Sequence, residues 1–207
     1  MESQDLITVD PAERHRRIAG TFTALVEGVE PADSTDTSDW DAPTPVEGWL
    51  ARDVVRHLIT WLPGFLAGGS DVVLLAGPSV DDEPAEAWRV HAAGVQSVLD
   101  DPEFAGLMFR HPHVGEMPLA DAIDRFYTAD VFMHGWDLAT ATGQEPQLDP
   151  AFAAQLLEGM ERMEEVIRAS GQYGARVEVP AEASVQERLI GFIGRDPQWA
   201  APARPGP

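Results

Sequence analysis

Hydrophobic positions recur along this chain at the spacing of amphipathic helices, and clusters of turn-forming residues divide them into discrete segments. Asp10-Pro11-Ala12-Glu13 reads as an N-cap, a proline at the first helical position and an acidic first turn. Ile18, Phe22, Leu25, Val26 and Val29 follow at helical intervals, which predicts a first helix over residues 11–29. Residues 30–46 are rich in Pro, Asp, Ser and Thr and predict a surface loop anchored by Trp40. The period returns over residues 49–66, where Val54, Val55, Leu58, Ile59, Leu62 and Phe65 mark the buried side and His57 lies beside it. In this second helix Asp53 falls in the first turn, where a carboxylate favours the helix dipole. Gly68-Gly69 loosens the chain, and residues 72–76 are too short to assign by period.

A third helix is predicted over residues 83–99, with Trp88, Val95, Val98 and Leu99 inward and His91 as a structural histidine, ending ahead of Asp101-Pro102. His111-Pro112-His113 reads as a loop or pocket rim, since a rigid extended dipeptide should point the two rings apart. A fourth helix runs over residues 118–142 through Ile123, Phe126, Tyr127, Asp130, His134 and Trp136, and Gly143 stops it. Asp149-Pro150 opens a fifth that continues to Gly171, with a methionine-containing stripe read as core. Residues 176–179 alternate like a short strand. Ser184-Val185-Gln186-Glu187 is a capping box opening a last helix with Leu189, Ile190, Phe192 and Ile193. The sum is an all-α bundle: one domain over residues 1–200 with an additional C-terminal helix, at most a short strand segment, and a tail, 201–207, expected to be disordered.

Composition narrows the chemistry. A chain of 207 residues with 44% hydrophobic content suits one domain, and 35 acidic against 14 basic residues give a formal net charge of -21. Such a chain repels a phosphate backbone or an anionic bilayer, so neither nucleic acid nor membrane is an expected partner. The basic residues are all Arg, a usage that suggests a GC-rich genome. No cysteine is present, so any metal site must be built from imidazole and carboxylate, and any thiol chemistry must be imported. Residues 1–10 have no basic segment followed by an apolar one, and no apolar run reaches membrane length; a cytoplasmic protein is the expectation.

Against this background one stretch carries candidate chemistry. Asp130, His134 and Asp137 are spaced four and then three apart, so they project from one face of the fourth helix, and His57 on the second helix is the natural third metal ligand. The competing reading is two solvated carboxylates and a partly buried histidine with an ordinary hydrogen bond.

Further residues add to this. Thr44-Pro45-Val46-Glu47-Gly48-Trp49 leading into residues 52–58, then 130–139, Ala141-Thr142-Gly143, 175–179 and 188–199, together resemble the DinB-like helical bundle superfamily. Within it, the chain is similar to the actinobacterial branch named after mycothiol-dependent maleylpyruvate isomerase. The resemblance implies a DinB-like four-helix bundle and a divalent metal, zinc above iron or nickel, held by His57, Asp130 and His134. Asp130 stands where that isomerase is expected to have the longer Glu. Asp137 would fix a ring nitrogen. It also implies mycothiol as cofactor and a transferase or isomerase acting on a small electrophile, with Arg56, Arg89 and Arg110 as candidates for holding a carboxylate. A hydrolase or lyase using metal-activated water and a non-catalytic ligand-binding bundle are the alternatives. A homodimer is possible.

Overall fold

The computed structural model describes residues 5–29 and 39–201. In chain order these form α1 (Pro11–Glu27), a 3-10 turn (Asp39–Asp41), α2 (Ala51–Ala67), α3 (Pro84–Asp100), a one-turn α4 (Pro102–Ala105) and the strands β1 (Met108–His111) and β2 (Gly115–Pro118). A long helix follows as α5 (Leu119–Ala122), a π-helical segment (Ile123–Thr128) and α6 (Ala129–Ala141); then come α7 (Pro150–Glu161), α8 (Glu164–Ala169) and α9 (Val185–Phe192). Both α1 and α2 pack on α3 and on α6, which closes a four-helix bundle, while α7 and α9 pack on each other. Most of the expected 30–46 loop, and the tail beyond residue 201, lie outside the described residues; Trp40 does pack, partly buried, against the core.

The helix starts follow from local hydrogen-bond chemistry. Asp10 accepts from the Glu13 amide at 2.8 Å and Asp149 from the Phe152 amide at 2.8 Å, satisfying donors that the first turn leaves free. Ser184 and Glu187 form the expected reciprocal box, and Asp53 accepts from the Leu50 amide at 2.8 Å, so its carboxylate closes the start of α2. Inside the bundle Val54, Val55, Leu58, Leu62 and Leu66 of α2 meet Phe22, Trp88, Ile123 and Tyr127, all shielded from water. That apolar burial is the main stabilising force of the bundle. Trp88 also donates its indole N–H to Thr23 Oγ1 at 2.9 Å.

Four expectations are corrected. Residues 108–118 form an antiparallel hairpin rather than a plain loop: Phe109 pairs with Met117, and Gly115 takes φ 84° at the turn. Four-residue strands are too short to impose a visible period. His111 and His113 do not point apart, because the turn brings their ring centroids to 5.6 Å and stacks His111 parallel to Phe109. The fifth helix breaks at Arg162-Met163, which lets Arg168 donate to the Phe192 carbonyl at 2.6 Å near the C-terminal end of α9, and leaves Met163 and Val166 exposed rather than in the core. Residues 176–179 form no strand; extended backbone crosses α9 there, and Val177 N–H donates to the Gly191 carbonyl at 2.8 Å without a neighbouring strand to pair with.

Four polar side chains, His15, His91, Tyr127 and Thr128, cluster in the bundle core. His15 Nδ1 lies 3.1 Å from Thr128 Oγ1, and the rings of His15 and His91 stand 5.8 and 5.6 Å from that of Tyr127. Burial drives His15 down to about 3 and His91 down to about 4, so both are neutral in the folded state near neutrality. Unfolded imidazoles titrate near 6.5, so below that pH the unfolded chain binds protons that the folded chain refuses. Stability is therefore full above about pH 6.5 and declines as pH falls toward the two folded values, at up to about 1.4 kcal/mol per pH unit for each histidine. Urea denaturation between pH 7 and 4.5 should show this slope, and His91→Gln should flatten it; a pH-independent midpoint would contradict the account.

Candidate metal centre

Helix α2 runs antiparallel to the long helix that ends in α6, so its positions 57, 61 and 65 descend against 134 and 130 of α6 and 126 of the π-helical segment. His57 Nε2 lies 3.0 Å from Asp130 Oδ2, and His134 Nε2 lies 3.5 Å from Asp130 Oδ1. The two imidazole centroids are 4.8 Å apart and nearly edge to face. One potential ligand atom from each of the three side chains lies within 4.8 Å of the other two. The group is graded from solvent inward, with side-chain exposures of 32% for His57, 17% for Asp130 and 7% for His134. The π-helical turn lies just ahead of Asp130, where the Ala129 amide donates to the Asp124 carbonyl five residues back. Such a turn rephases the helix, so α5 can bury Leu119 and Ala122 while α6 turns Asp130 and His134 toward α2.

Behind this group stands a line of charge. Asp137 is fully buried and lies 2.8 Å from His134 Nδ1. An ionised carboxylate only accepts, so Nδ1 must carry the proton, and in the neutral ring Nε2 presents a lone pair toward Asp130. Two acceptors facing each other want a cation between them. Arg195 steadies Asp137: its Nε and one terminal nitrogen reach the carboxylate at 3.3 and 3.2 Å, and the other terminal nitrogen donates to the Ile193 carbonyl at 3.0 Å. This fork satisfies a charge that would otherwise be costly to bury.

Glycines bring Arg195 there. Gly194 takes φ 88°, and a Cβ on it would come within 2.7 Å of Gly174 Cα, so two backbone segments cross where no side chain fits. The residues next to that crossing are Tyr173 and Arg195. Burial pushes the Tyr173 hydroxyl up to about 12, and the Asp130 charge adds to the effect while Arg195 opposes it. Burial works against the charged form of His134, but Asp130 and Asp137 outweigh it and hold its pKa above the ordinary value. Burial likewise opposes ionisation of Asp130, yet the two histidines and the Trp61 hydrogen bond hold it below the usual carboxylate value.

Two tryptophans frame the group. Trp49 lies nearly parallel to His134 at 5.8 Å and tilted against His57 at 5.1 Å, and Trp61 donates its indole N–H to Asp130 Oδ2 at 3.0 Å. Sequence reading grouped His57, Asp130, His134 and Asp137, and the fold brings all four together. It missed Arg195, Tyr173 and Trp61, whose nearness depends on tertiary packing; only Trp61 sits at a telling interval, one helical turn beyond His57. The arginines proposed from sequence lie elsewhere and are paired: Arg56 with Asp53 and Asp81, Arg89 with Glu86, and Arg110 with Glu116. A cavity of about 430 Å³ between α1 and α6, lined by Phe22, Leu25, Phe132, Gly135 and Gln144, contains none of the four grouped residues.

A four-helix bundle with two histidines and one carboxylate converging from facing helices, one oxygen or nitrogen donor from each lying within 4.8 Å of the others, has a donor set that could hold a divalent cation. The chain belongs to the family of the mycothiol maleylpyruvate isomerase N-terminal domain, whose model matches residues 15–139 and so takes in α2, α3 and most of α1 and α6. Two relatives from Mycobacterium tuberculosis are each 29% identical over 195 residues, covering 90% of this chain and 98% of their own: uncharacterized protein MT0763 of strain CDC 1551 / Oshkosh and uncharacterized protein Rv0738 of strain H37Rv. No solved structure matches the chain. Among the described residues no helix is long and apolar enough to cross a membrane.

Arg195 lies beyond the family match yet holds a residue within it. If it orients His134 through Asp137, then Asp137→Asn and Arg195→Gln should each weaken zinc binding by about 10- to 100-fold while the helical circular dichroism spectrum is kept. Isothermal titration with zinc checks this, and unchanged affinity in both variants would separate the pair from the metal group.

Proposed function

We propose that the chain is a divalent-metal-dependent enzyme that uses a low-molecular-weight thiol, mycothiol within this family, to transfer to or isomerise a small electrophilic substrate. The observation that carries the reading is the convergence of His57, Asp130 and His134 across α2 and α6, in a family named for a mycothiol-dependent isomerase. The ligands would be two neutral imidazoles and one carboxylate, a set that suits zinc and also admits iron or nickel. Three protein ligands leave a position open, the arrangement of a catalytic rather than a structural site. When bound, the ion would supply Lewis acidity that lowers the pKa of an incoming thiol and favours its nucleophilic form.

The remaining roles fall to the chain. Asp137 accepts the Nδ1 proton of His134 in a hydrogen bond, so that Nε2 faces the ion site, and Arg195 orients Asp137. The Trp61 N–H occupies one lone pair of Asp130 Oδ2 and leaves Oδ1 the less committed oxygen. Trp49 covers both imidazoles and restricts water from that side. The thiol must come from outside, since the chain has no cysteine.

Elemental analysis of protein purified without a metal-binding tag should find about one equivalent of zinc, iron or nickel per chain. His57→Ala, Asp130→Ala and His134→Ala should lose most of it. A metal that bridges two helices also stabilises the fold, so a chelator should lower the melting temperature of the parent and leave these variants unmoved. Turnover of an electrophile should require added thiol. Equal metal in parent and variants would overturn the ligand assignment, and thiol-independent turnover would overturn the role of the thiol.

A further inference from the structure

A second cleft lies toward the C-terminal end of α6, between its last turns and the start of α9. It encloses about 410 Å³, with Trp136, Thr140 and Gly143 on one wall and Ser184, Glu187 and Trp199 on the other. None of His57, Asp130 and His134 borders it.

Two polar groups on the α6 wall lack partners. Trp136 is only 3% exposed, yet its indole N–H donates to no acceptor among the described residues. That N–H is not sealed from water either, so it belongs to the sliver of Trp136 that stays accessible where the residue borders the cleft. One turn on, the Thr140 hydroxyl is shielded from water and also unpartnered. Buried indole N–H groups ordinarily find an acceptor within the fold; here the acceptor must come from an occupant.

Charge defines what kind of occupant fits. Among the described residues that line the cleft, Glu187 is the only ionisable one. Ser184 donates to it through its hydroxyl at 2.8 Å and its amide at 2.7 Å, which holds the carboxyl below the usual carboxylate value, and no cation among the described residues pairs with it. The last turn of α6 carries no basic residue, so the negative end of its dipole stands uncompensated beside Gly143. The positive end of α9 is already satisfied by the Ser184 and Glu187 box. Trp199 is half-buried and keeps ring surface open, a face that attracts cations. In a chain of net charge -21, an anion is repelled from such a place and a cation is drawn to it.

We infer that this cleft is a binding site for a small organic cation that also carries a hydrogen-bond acceptor. Its ammonium group lies against the Trp199 ring and toward Glu187, and its acceptor takes the Trp136 N–H. The cleft and the metal group share no residue, so neither reading depends on the other.

Three probes separate these features. Choline has both charge and acceptor, tetramethylammonium has the charge alone, and 3,3-dimethylbutan-1-ol has the shape and hydroxyl of choline without the charge. Each is titrated calorimetrically into the full chain at constant ionic strength. Both cations are expected to saturate, and the neutral alcohol is not. Glu187→Gln keeps a capping side chain while removing the charge, and should weaken both cations about tenfold. Trp199→Leu should weaken both about two- to thirtyfold. Trp136→Phe keeps a ring but removes the N–H, and should weaken choline about two- to tenfold while leaving tetramethylammonium unchanged. Absence of saturable cation binding, alcohol binding as tight as that of choline, or cation affinity unchanged in either Glu187→Gln or Trp199→Leu with a parental helical spectrum would overturn the site. Equal effects of Trp136→Phe on the two cations, or none on choline, would overturn the indole contact.

Discussion

Asp130 is a carboxylate placed where two helices would otherwise meet through apolar side chains, and the arrangement around it follows from the need to satisfy that charge. It takes a hydrogen bond from Trp61 of α2 and lies 3.0 Å from His57 Nε2 of the same helix while facing His134 of its own. An anion with only 17% of its side chain exposed is stable if donors or cations surround it, and here they arrive from both sides of the helix pair. The same requirement recurs about two turns further on at Asp137, which water does not reach and which therefore needs the Arg195 fork. Two successive carboxylates with one histidine between them make α6 the polar spine of an otherwise apolar bundle. The histidine is held from both ends, which fixes its tautomer and its ring plane.

Much of the bundle was legible in the chain because helical period and capping residues are local signals. Asp10, Asp149 and the Ser184-Glu187 box mark three helix starts, and the apolar stripe of α2 is buried as its period indicates. The hairpin at residues 108–118 was hidden because four residues per strand leave almost no period to read. The break between α7 and α8 was hidden because its cause is tertiary: Arg168 reaches the end of α9 only when the helix turns there. Helical spacing grouped Asp130, His134 and Asp137, the period of α2 placed His57 beside its buried side as their third partner, and the family resemblance implied the same set. Nothing local connects Arg195 to Asp137, which is 58 residues away in sequence. The π-helical turn left no sequence mark, though it is what lets α5 and α6 present different faces.

The division between the matched family region and the rest of the chain is also physical. Residues 15–139 hold the candidate ligands, while Tyr173 and Arg195 come from beyond them and approach through the close crossing of Gly174 and Gly194. The bundle thus carries the donor atoms, and the C-terminal segment supplies Arg195, the cation that pairs with the buried Asp137 carboxylate. A chain ending at the family boundary would bury an anion without its counterion.

The facing pairs of α2 and the long helix, His57 with His134, Trp61 with Asp130 and Phe65 with Phe126, form a ladder with a further consequence for how such a sequence is free to vary in length. Each rung depends on two helices keeping step, and an α-helix turns by about 100° for every residue added. Substitution at one rung alters one contact and leaves the others in phase. Insertion or loss of a single residue between rungs would swing every later side chain a quarter-turn or more off the seam, separating His57 from Asp130 or Phe65 from Phe126 together. Length changes are therefore expected in the loops, since the π-helical turn at Ile123–Thr128 itself sets the phase between Phe126 and Asp130.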